Sequence, residues 1–367
     1  MRLLNTIALL ATSALLIGAA PAPGYGEADF ARVRKFDAHV HANIDDPRFL
    51  GVARRDGVEL LSINVDYPDF PPLPLQATIA HQMQARDAKI FHFATTLSMQ
   101  GFGTPGWTER TISALDDAFA SGAVAIKLWK NIGMVATDAA GKRIFLDDPR
   151  FDGVMAHLER RGIPLIAHQA EPKNCWLPLD QMTTENDRSY FREHPEYYMY
   201  LHPEEPSYEV LMATRDRFVA RHPKLAFDGA HMASLEWSVD ELARFFDRYP
   251  NAVVDLAARM SNLQVQSNAD IAKVRGFFIK YQDRILYGTD LTDSPPDPAA
   301  RAQNPPATAD FAREADQVWR ADWRYLATPL PQRVDAIDAD ARGLDLPRAV
   351  IDKIYWKNAR RFFKLKG

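Results

Sequence analysis

The chain has 367 residues, of which 47% are hydrophobic and 25% charged, so it can bury a large core in one large domain or two ordinary ones. Its formal net charge is −4. That balance gives no electrostatic reason to expect nucleic acid or an acidic membrane surface as a partner, and a small-molecule substrate is the better expectation.

The first 22 residues have the pattern of a secretory signal peptide. Arg2 supplies a positive start, residues 7–20 are almost all apolar, and Ala20-Pro21-Ala22 places small residues near a cleavage point. Either cut leaves proline at the new N-terminus, which disfavours cleavage, so an uncleaved anchor is the alternative. We expect export to the periplasm or beyond the cell, without stable membrane association after cleavage.

Eight short apolar or β-branched runs follow, with helical periodicity between most of them. The predicted helices include residues 108–120, 152–161, 208–221 and 239–249. This alternation predicts an α/β fold, a (β/α)8 TIM barrel. An open doubly wound sheet is the alternative, but it usually has a glycine-rich turn where this chain has a histidine pair. The predicted strands are residues 33–41, 58–65, 90–96, 124–129, 163–168, 225–231, 252–257 and 285–290.

Two connections are too long to be simple turns. Residues 169–206 follow the fifth predicted strand, and residues 291–308, rich in proline, follow the eighth. Such loops lie at the catalytic face of a barrel and are usually lids or binding elements, although structural insertions are the alternative. No linker interrupts the chain, so residues 31–367 are predicted to form a single barrel domain. Cys175 is the only cysteine, which excludes an internal disulfide and favours a packing role.

Polar side chains recur at the carboxyl ends of the predicted strands, where barrels carry their catalytic groups. The first strand ends in His39-Val40-His41, and side chains two apart on a strand share a face, so both imidazoles can point to one metal ion. Each residue alone is weak evidence, but their common register predicts a metal site. The strand-end residues are His39, His41, Lys127, His168, His231 and Asp290.

The sequence motifs around these residues resemble those of the amidohydrolase superfamily. Within it they resemble the amidohydrolase-related branch, which also contains aminocarboxymuconate-semialdehyde decarboxylase-like enzymes. The resemblance runs from about residue 34 to residue 365. The last matching motif resembles the closing helix of that branch, at the C-terminus, which carries a recurrent asparagine, here Asn358. The motifs that carry it are DAHVH, IKLWKN, IAH, GAH, YGTD and LPRAVIDKIYWKNARRFF.

The resemblance implies that one divalent ion, zinc or alternatively manganese, is held by His39, His41, His168 and Asp290. Such an ion brings the pKa of a bound water from ~15.7 toward ~7. Asp290 would then take the proton of the water, and His231 would hydrogen-bond the substrate oxygen or the water. In some branches a carboxylated lysine bridges two ions, so Lys127 leaves a binuclear site open. Otherwise Lys127 pairs with a carboxylate or contacts an acidic substrate.

Other residues near the mouth are candidates for substrate binding or for orienting the ligands. Arg259 could grip a substrate carboxylate or form a surface salt bridge. Glu171 and Trp176, with Tyr190, Tyr197, Tyr198 and Tyr200, could close aromatic surface over a ligand, with core packing as the alternative. Asp228 and Asp255 could orient the ligand histidines.

The predicted function is a metal-dependent hydrolase that cleaves a C–N or C–O bond of an amide, lactone or ester. The alternative is a metal-dependent non-oxidative decarboxylase of an aromatic or unsaturated acid. A binding protein without turnover is a third class, which the intact set of ligands disfavours. The pattern leaves the substrate, the number of metal ions and homo-oligomer formation open.

Overall fold

The computed structural model of the protein describes residues 24–295 and 309–366. Nine parallel strands form one curved sheet in the order β8-β7-β6-β5-β4-β3-β2-β1-β9. The strands are β1 (Lys35–Ala42), β2 (Val58–Ile63), β3 (Phe91–Thr96), β4 (Ala125–Leu128), β5 (Leu165–Ala167), β6 (Phe227–Gly229), β7 (Ala252–Asp255), β8 (Ile285–Leu286) and β9 (Leu291–Asp293).

The sheet closes on itself through β1. Strand β9 continues the line of β8 four residues later and pairs in parallel with the end of β1. Between them, the Ala38 amide donates to the Tyr287 carbonyl at 2.9 Å, and the Asp290 amide donates to the His39 carbonyl at 2.8 Å. The predicted α/β barrel is confirmed. The predicted signal peptide, residues 1–22, lies outside the described residues.

Helices cover the outside of the barrel and match the periodicity of the sequence. Two predicted helices, Asp152–Arg161 and Tyr208–Arg221, have the predicted bounds. Helix Val239–Arg248 begins at Ser238, whose side chain accepts from the Glu241 amide, and buries Val239, Leu242, Phe245 and Phe246. The remaining main helices are Pro47–Arg55, Leu73–Arg86, Trp107–Ala120, Glu185–Glu193, Met260–Lys280, Ala309–Ala327, Arg348–Asp352 and Asn358–Phe362.

Strand β1 contains a bulge that decides where its histidines point. Asp37 pairs with Leu60 while Val40 pairs with Ser62, so β1 has one residue more than β2 over this stretch. Phe36 and Ala38 belong to the apolar cluster that fills the barrel interior. The extra residue shifts the alternation, so that His39 and His41 also face the barrel's mouth.

The closing helix holds the other end of the barrel. Phe363 stacks on Phe36 with ring centroids 6.1 Å apart and joins the interior cluster. The Asn358 amide donates to the carbonyls of Gln282 at 2.7 Å and Ile285 at 2.8 Å. The recurrent asparagine therefore anchors the start of β8, the strand that leads into Asp290.

The long connection after β5 forms a lid, which we define as residues 169–206. It has a small core of its own made of Cys175, Met182, Phe191 and Tyr198. The burial and hydrogen bonds of Cys175 agree with a packing role, and burial raises the pKa of its thiol. The lid is thus a folded element rather than an open loop.

The region after β8 differs from the prediction of one long loop. Residues 291–293 are strand β9, because their backbone pairs with β1, and residues 296–308 lie outside the described part. A hairpin that was not predicted, β10 (Pro331–Val334) and β11 (Ala339–Arg342), follows helix Ala309–Ala327. Within the described residues, no helix combines the length and apolar character needed to cross a bilayer.

Candidate metal centre

Two histidines of β1 and the aspartate after β8 come together at the barrel's mouth. His39 Nε2 lies 3.4 Å and His41 Nε2 lies 3.3 Å from the same Asp290 carboxylate oxygen. We call these three residues the metal centre. They form one of two candidate metal-binding groups among the described residues, the other being His39, His231 and Asp255.

A hydrogen bond at Nδ1 fixes the orientation of each of the two imidazoles. His39 Nδ1 bonds a carboxylate oxygen of Asp255 at 2.7 Å, and His41 Nδ1 donates to the Ile63 carbonyl at 2.8 Å. A carbonyl can only accept, so Nδ1 of His41 carries the proton and its Nε2 offers a lone pair. Carboxylate and carbonyl partners of this kind orient metal-binding histidines and raise their basicity.

The charge states suit a cation. Burial, with the nearby Lys127 charge, lowers the pKa of His39, so the imidazole is neutral at pH 7. Burial acts to raise the pKa of Asp290, but the imidazoles, His231 first, outweigh it and hold that pKa well below its usual range. Two neutral imidazoles and a carboxylate are ligands that a divalent metal ion takes.

The spacing of these atoms also fits an ion. Ligand atoms on a tetrahedron with bonds of ~2.1 Å lie ~3.4 Å apart. The two imidazole nitrogens stand at that separation from the Asp290 oxygen. His39, His41 and Asp290 therefore present ligand atoms close enough together to hold a divalent ion.

The backbone at Asp290 is unusual for a non-glycine residue. Its φ is +68°, in the left-handed region, and its amide donates to the His39 carbonyl at 2.8 Å. Beside it, a Cβ on Gly288 would lie 3.1 Å from the His39 Cβ. Glycine at 288 thus lets the β8 segment approach His39 closely enough for Asp290 to reach both imidazoles.

His231 stands on a left-handed turn. Residues 231–234 all have φ between +55° and +58°, a run that L-residues rarely adopt. The turn is held by hydrogen bonds from the His231 amide to Asp255 at 2.8 Å and from Ser234 Oγ to the Ala170 carbonyl at 3.1 Å. Strained backbone of this kind persists where surrounding contacts determine it, and it is concentrated at functional sites.

The tautomer of His231 limits what it can do. Its Nδ1 donates to the Ala257 carbonyl at 2.9 Å, so Nε2 carries a lone pair. Burial lowers its pKa well below the usual value, against the opposing charge of Asp290. Neutral His231 can therefore accept a hydrogen bond or bind a cation through Nε2, but it cannot donate to a substrate carbonyl.

His168, predicted as a metal ligand, lies beside His231 rather than beside the β1 pair. The His168 and His231 ring centroids are 4.1 Å apart, and His168 Nε2 donates to the Ala170 carbonyl at 3.1 Å. Within residues 24–295 and 309–366, neither candidate metal-binding group includes His168. Its free Nδ1 is the atom with which it could join the ligands.

Lys127 points into the same space. Its Nζ donates to His39 Nε2 at 3.2 Å, and burial lowers its pKa to about 8. No carboxylate of the described chain lies within ion-pair distance of it. The lone pair of His39 Nε2 can serve Lys127 or a metal ion, but not both.

Two charged residues lie buried near the histidines, one predicted and one missed. Arg259 is 8% exposed, and its Nε has no hydrogen-bond partner among the described atoms. Glu236, which the sequence reading did not select, is 1% exposed and accepts from the Lys173 amide at 2.7 Å. Burial raises the pKa of Glu236, and Arg259 opposes that shift. Nothing in the local sequence marks Glu236, because it follows the histidine motif without a recognisable spacing.

The other candidates take different positions. Asp255 holds His39 and the His231 turn, the orienting role expected of it. Asp228 is fully buried with both oxygens unpartnered among the described atoms, and burial raises its pKa well above the usual value. Glu171 lines a cavity beside the centre and pairs with Lys130. Trp176 instead donates from its Nε1 to the Pro206 carbonyl at 3.2 Å and packs on Tyr208, so its contacts lie within and behind the lid.

A family model described as amidohydrolase matches residues 36–365. The chain belongs to the amidohydrolase family. No curated protein matches it in sequence.

Three solved structures are similar to this chain. A 2,6-dihydroxybenzoate decarboxylase complexed with 2,6-dihydroxybenzoate is similar over 91% of this chain and 99% of its own, with 17% identity and a TM-score of 0.50. An uncharacterised TIM-barrel protein of Bordetella bronchiseptica covers 90% of this chain and 99% of its own, at 14% identity and a TM-score of 0.48. A lactonase of Listeria monocytogenes covers 92% and 96%, at 11% identity and a TM-score of 0.42.

Membership has a direct consequence for the site. Amidohydrolases are metal-dependent enzymes, and the family's relatives include hydrolases and decarboxylases. The His and Asp cluster at the mouth of this barrel is the group of residues that could hold such a metal ion.

Proposed function

We propose that the protein is a metal-dependent hydrolase that uses an activated water to cleave an amide, lactone or ester of a small molecule. The observation that carries the proposal is the position of Asp290. Its carboxylate lies 3.3 to 3.4 Å from two metal-competent imidazole nitrogens, and its side chain is 30% exposed to the mouth. It can therefore touch both a metal ion and a water that enters from solvent.

The role that we propose for each residue follows from the hydrogen bonds that it can donate or accept. A divalent ion at this site supplies a Lewis acid and lowers the pKa of water. Asp290, whose pKa lies well below its usual range, accepts the proton of the attacking water and returns it to the leaving group. His231 Nε2 accepts a second hydrogen bond from that water, while Arg259 Nε and Lys127 Nζ are the donors available to a substrate oxygen.

A decarboxylase is the second candidate, and one observation favours it. Burial chiefly lowers the pKa of His168 and His231, and the charge of the buried Arg259 guanidinium adds to that shift in both. Its unpartnered Nε could bind the carboxylate of an acid substrate. The buried Glu236 nearby offsets that positive charge, which is why we rank this reaction second.

The test is a reaction screen with a matched variant. Purified protein loaded with Zn²⁺ or Mn²⁺ is given aryl amides, esters, lactones and aryl acids, and both hydrolysis products and CO2 are measured. We expect hydrolysis without CO2 release. Asp290→Asn should lower kcat by about 10²- to 10⁴-fold, the usual contribution of a general base.

The control is metal content, which separates chemistry from loss of the cation. Asp290→Asn should retain two imidazole ligands and measurable metal. CO2 release from aryl acids without any hydrolysis would reverse the order of the two reactions. Full hydrolytic activity of Asp290→Asn would remove Asp290 from the mechanism.

Zinc as the resident metal and export from the cytoplasm are further parts of the proposal. The chemistry of the imidazoles and carboxylate supports zinc, and the pattern of residues 1–22 supports export. Elemental analysis of the purified protein checks the metal. Cell fractionation together with N-terminal sequencing checks the export.

A further inference from the structure

A large cavity adjoins the metal centre on the side of the lid. It has a volume of about 600 Å³. Its walls come from the loops after β2 and β4 and from the lid after β5, so it opens at the same end of the barrel as the metal centre. We call it the aromatic chamber and define it by Tyr67, Trp129, Tyr190 and Tyr197.

The aromatic walls are pairs of rings with flat faces. The Tyr67 and Trp129 rings lie 4.2 Å apart between centroids, and the Tyr190 and Tyr197 rings are parallel within 8° at 6.5 Å. Such faces bind planar groups by stacking and attract cations through the negative face of the ring. Lys130 already uses this attraction, with its Nζ 5.1 Å from the Trp129 centroid.

The permanent cations of the chamber are already paired. Among the described lining residues they are Lys130 and Arg143. Each cation is bound to a carboxylate of the lining, Lys130 to Glu171 and Arg143 to Glu205. Neither cation is therefore free to bind an anionic ligand, and the carboxylate of Glu196 in the lining disfavours such a ligand further.

The chamber lies one side chain away from the metal centre. Trp129 follows β4, and its ring centroid lies 6.4 Å from that of His168. Phe70 lies between the two sites, 6.0 Å from Trp129 and 5.1 Å from His41 between centroids. A group held in the chamber is therefore one side chain away from a group at the metal ion.

We propose that the aromatic chamber binds a planar aromatic group of the substrate, cationic in preference to neutral and neutral in preference to anionic. The reactive carbonyl then lies at the metal centre. This assignment rests on the proposed function for its place in catalysis, but the binding preference is a property of the chamber alone.

The test measures binding of three probes of nearly equal size. Phenethylamine is a cation at pH 7, 2-phenylacetamide is neutral and phenylacetate is an anion. Titration calorimetry is carried out on the full-length protein as purified and again with a chelator, so that a carboxylate cannot bind a metal ion. We expect phenethylamine to bind about tenfold more tightly than phenylacetate, with the amide between them.

Matched variants locate the binding. Tyr190 lines the chamber, whereas Tyr200 lies in the same lid outside it, and the two residues are 44% and 50% exposed. Tyr190→Ala should lower the affinity for all three probes about fivefold, and Tyr200→Ala should leave the three affinities unchanged. Weakening by Tyr200→Ala alone, or tightest binding of phenylacetate, would overturn the assignment.

A second pair tests the charge. Glu196 lines the chamber beside His194, and Glu204 lies outside it beside His202, with nearest N–O separations of 3.6 and 3.4 Å. Glu196→Gln should reduce the preference for phenethylamine over phenylacetate about threefold, while Glu204→Gln should not. The two proposals fail separately, because charge-ordered binding without hydrolysis refutes only the hydrolase, and hydrolysis with anionic preference refutes only the chamber.

Discussion

The metal centre and the aromatic chamber share the mouth of one barrel, but the protein builds them in different ways. The metal centre rests on buried strand ends, and each β1 histidine is held from behind by a carboxylate or a carbonyl. The chamber is made of loop and lid side chains, and its charges are held by ion pairs near solvent. Groups that need exact geometry stand on the rigid scaffold, whereas groups that select a ligand stand on elements that tolerate change.

The same contrast holds for the backbone. His231, Ala258 and Asp290, which follow β6, β7 and β8, have positive φ, and hydrogen bonds from buried groups hold them there. The lid avoids such strain and folds around the side chain of Asn174 instead. Perturbing the strained side should therefore cost more than perturbing the lid.

The largest effect is expected at Gly229, below the left-handed turn. A Cβ there would lie 2.5 Å from the Ala233 Cβ and 3.0 Å from its Cα, so Gly229→Ala must displace the turn. We expect a loss of about 3 kcal/mol in the free energy of unfolding. Denaturant unfolding measures it.

Gly51→Ala is the control for this change. Gly51 lies in helix Pro47–Arg55 and an added Cβ meets no atom within 4 Å. The variant should gain about 0.5–1 kcal/mol from helix propensity. Equal stability of Gly229→Ala and the native chain would show that the turn does not depend on close packing at residue 229.

The second prediction concerns the carboxylate behind His39. Asp255→Asn removes the charge that orients the imidazole and raises its basicity, so metal affinity should fall about 10- to 100-fold. Competition with a chelator measures the affinity. Asp322→Asn changes a carboxyl that is also buried but bonds Tyr287, and it should leave the affinity unchanged. A retained affinity in Asp255→Asn would mean that His39 is not a ligand.

The residues of the metal centre could be predicted from the sequence, because the strands of a barrel bring their carboxyl ends together whatever segments lie between them. His39, His41 and Asp290 meet as expected from that rule. The bulge in β1 could not be read from the pattern. A regular strand would put His39 and His41 on the face opposite Phe36 and Ala38, and only the extra residue lets both pairs face inward.

What the sequence could not supply follows from contacts distant in the chain. The hydrogen bond that directs His168 Nε2 to Ala170, and the turn that carries His231, depend on packing between segments that no local pattern records. The three residues of strand β9 are too few to show alternation, so the sequence pattern predicts a loop there. Glu236 was missed because its burial comes from the lid above it.

The third prediction concerns the lid. The Asn174 amide donates to Asp187 at 2.8 Å and to the hydroxyls of Thr183 and Thr184, both at 3.2 Å. Asn174→Ala leaves a carboxylate oxygen of the buried Asp187 without its partner, so the lid should lose about 1.5 kcal/mol. Limited proteolysis should cut within residues 169–206 several times faster, while metal affinity stays unchanged.

Asn268→Ala is the control for the lid variant, since that amide donates to the Asp340 carbonyl at 2.8 Å on the exposed hairpin. It should leave cleavage of the lid as it is in the native chain. A loss of metal affinity in Asn174→Ala would contradict the separation of the two regions, because it would make the lid part of the support of the metal centre.

The smallest effects are expected from substitutions of two tryptophans, of which only one lines the chamber. Trp176→Phe removes one hydrogen bond, to the Pro206 carbonyl at 3.2 Å, and keeps an aromatic ring beside Tyr208, so the lid should lose about 1 kcal/mol. Because this ring does not line the chamber, binding of phenethylamine should not change. Trp129→Phe shrinks a ring that does line it, and binding should weaken about threefold. If Trp176→Phe weakens the probe as much as Trp129→Phe, then Trp176 binds substrate after all, and the lid must close further over the chamber than its contacts with Pro206 and Tyr208 imply.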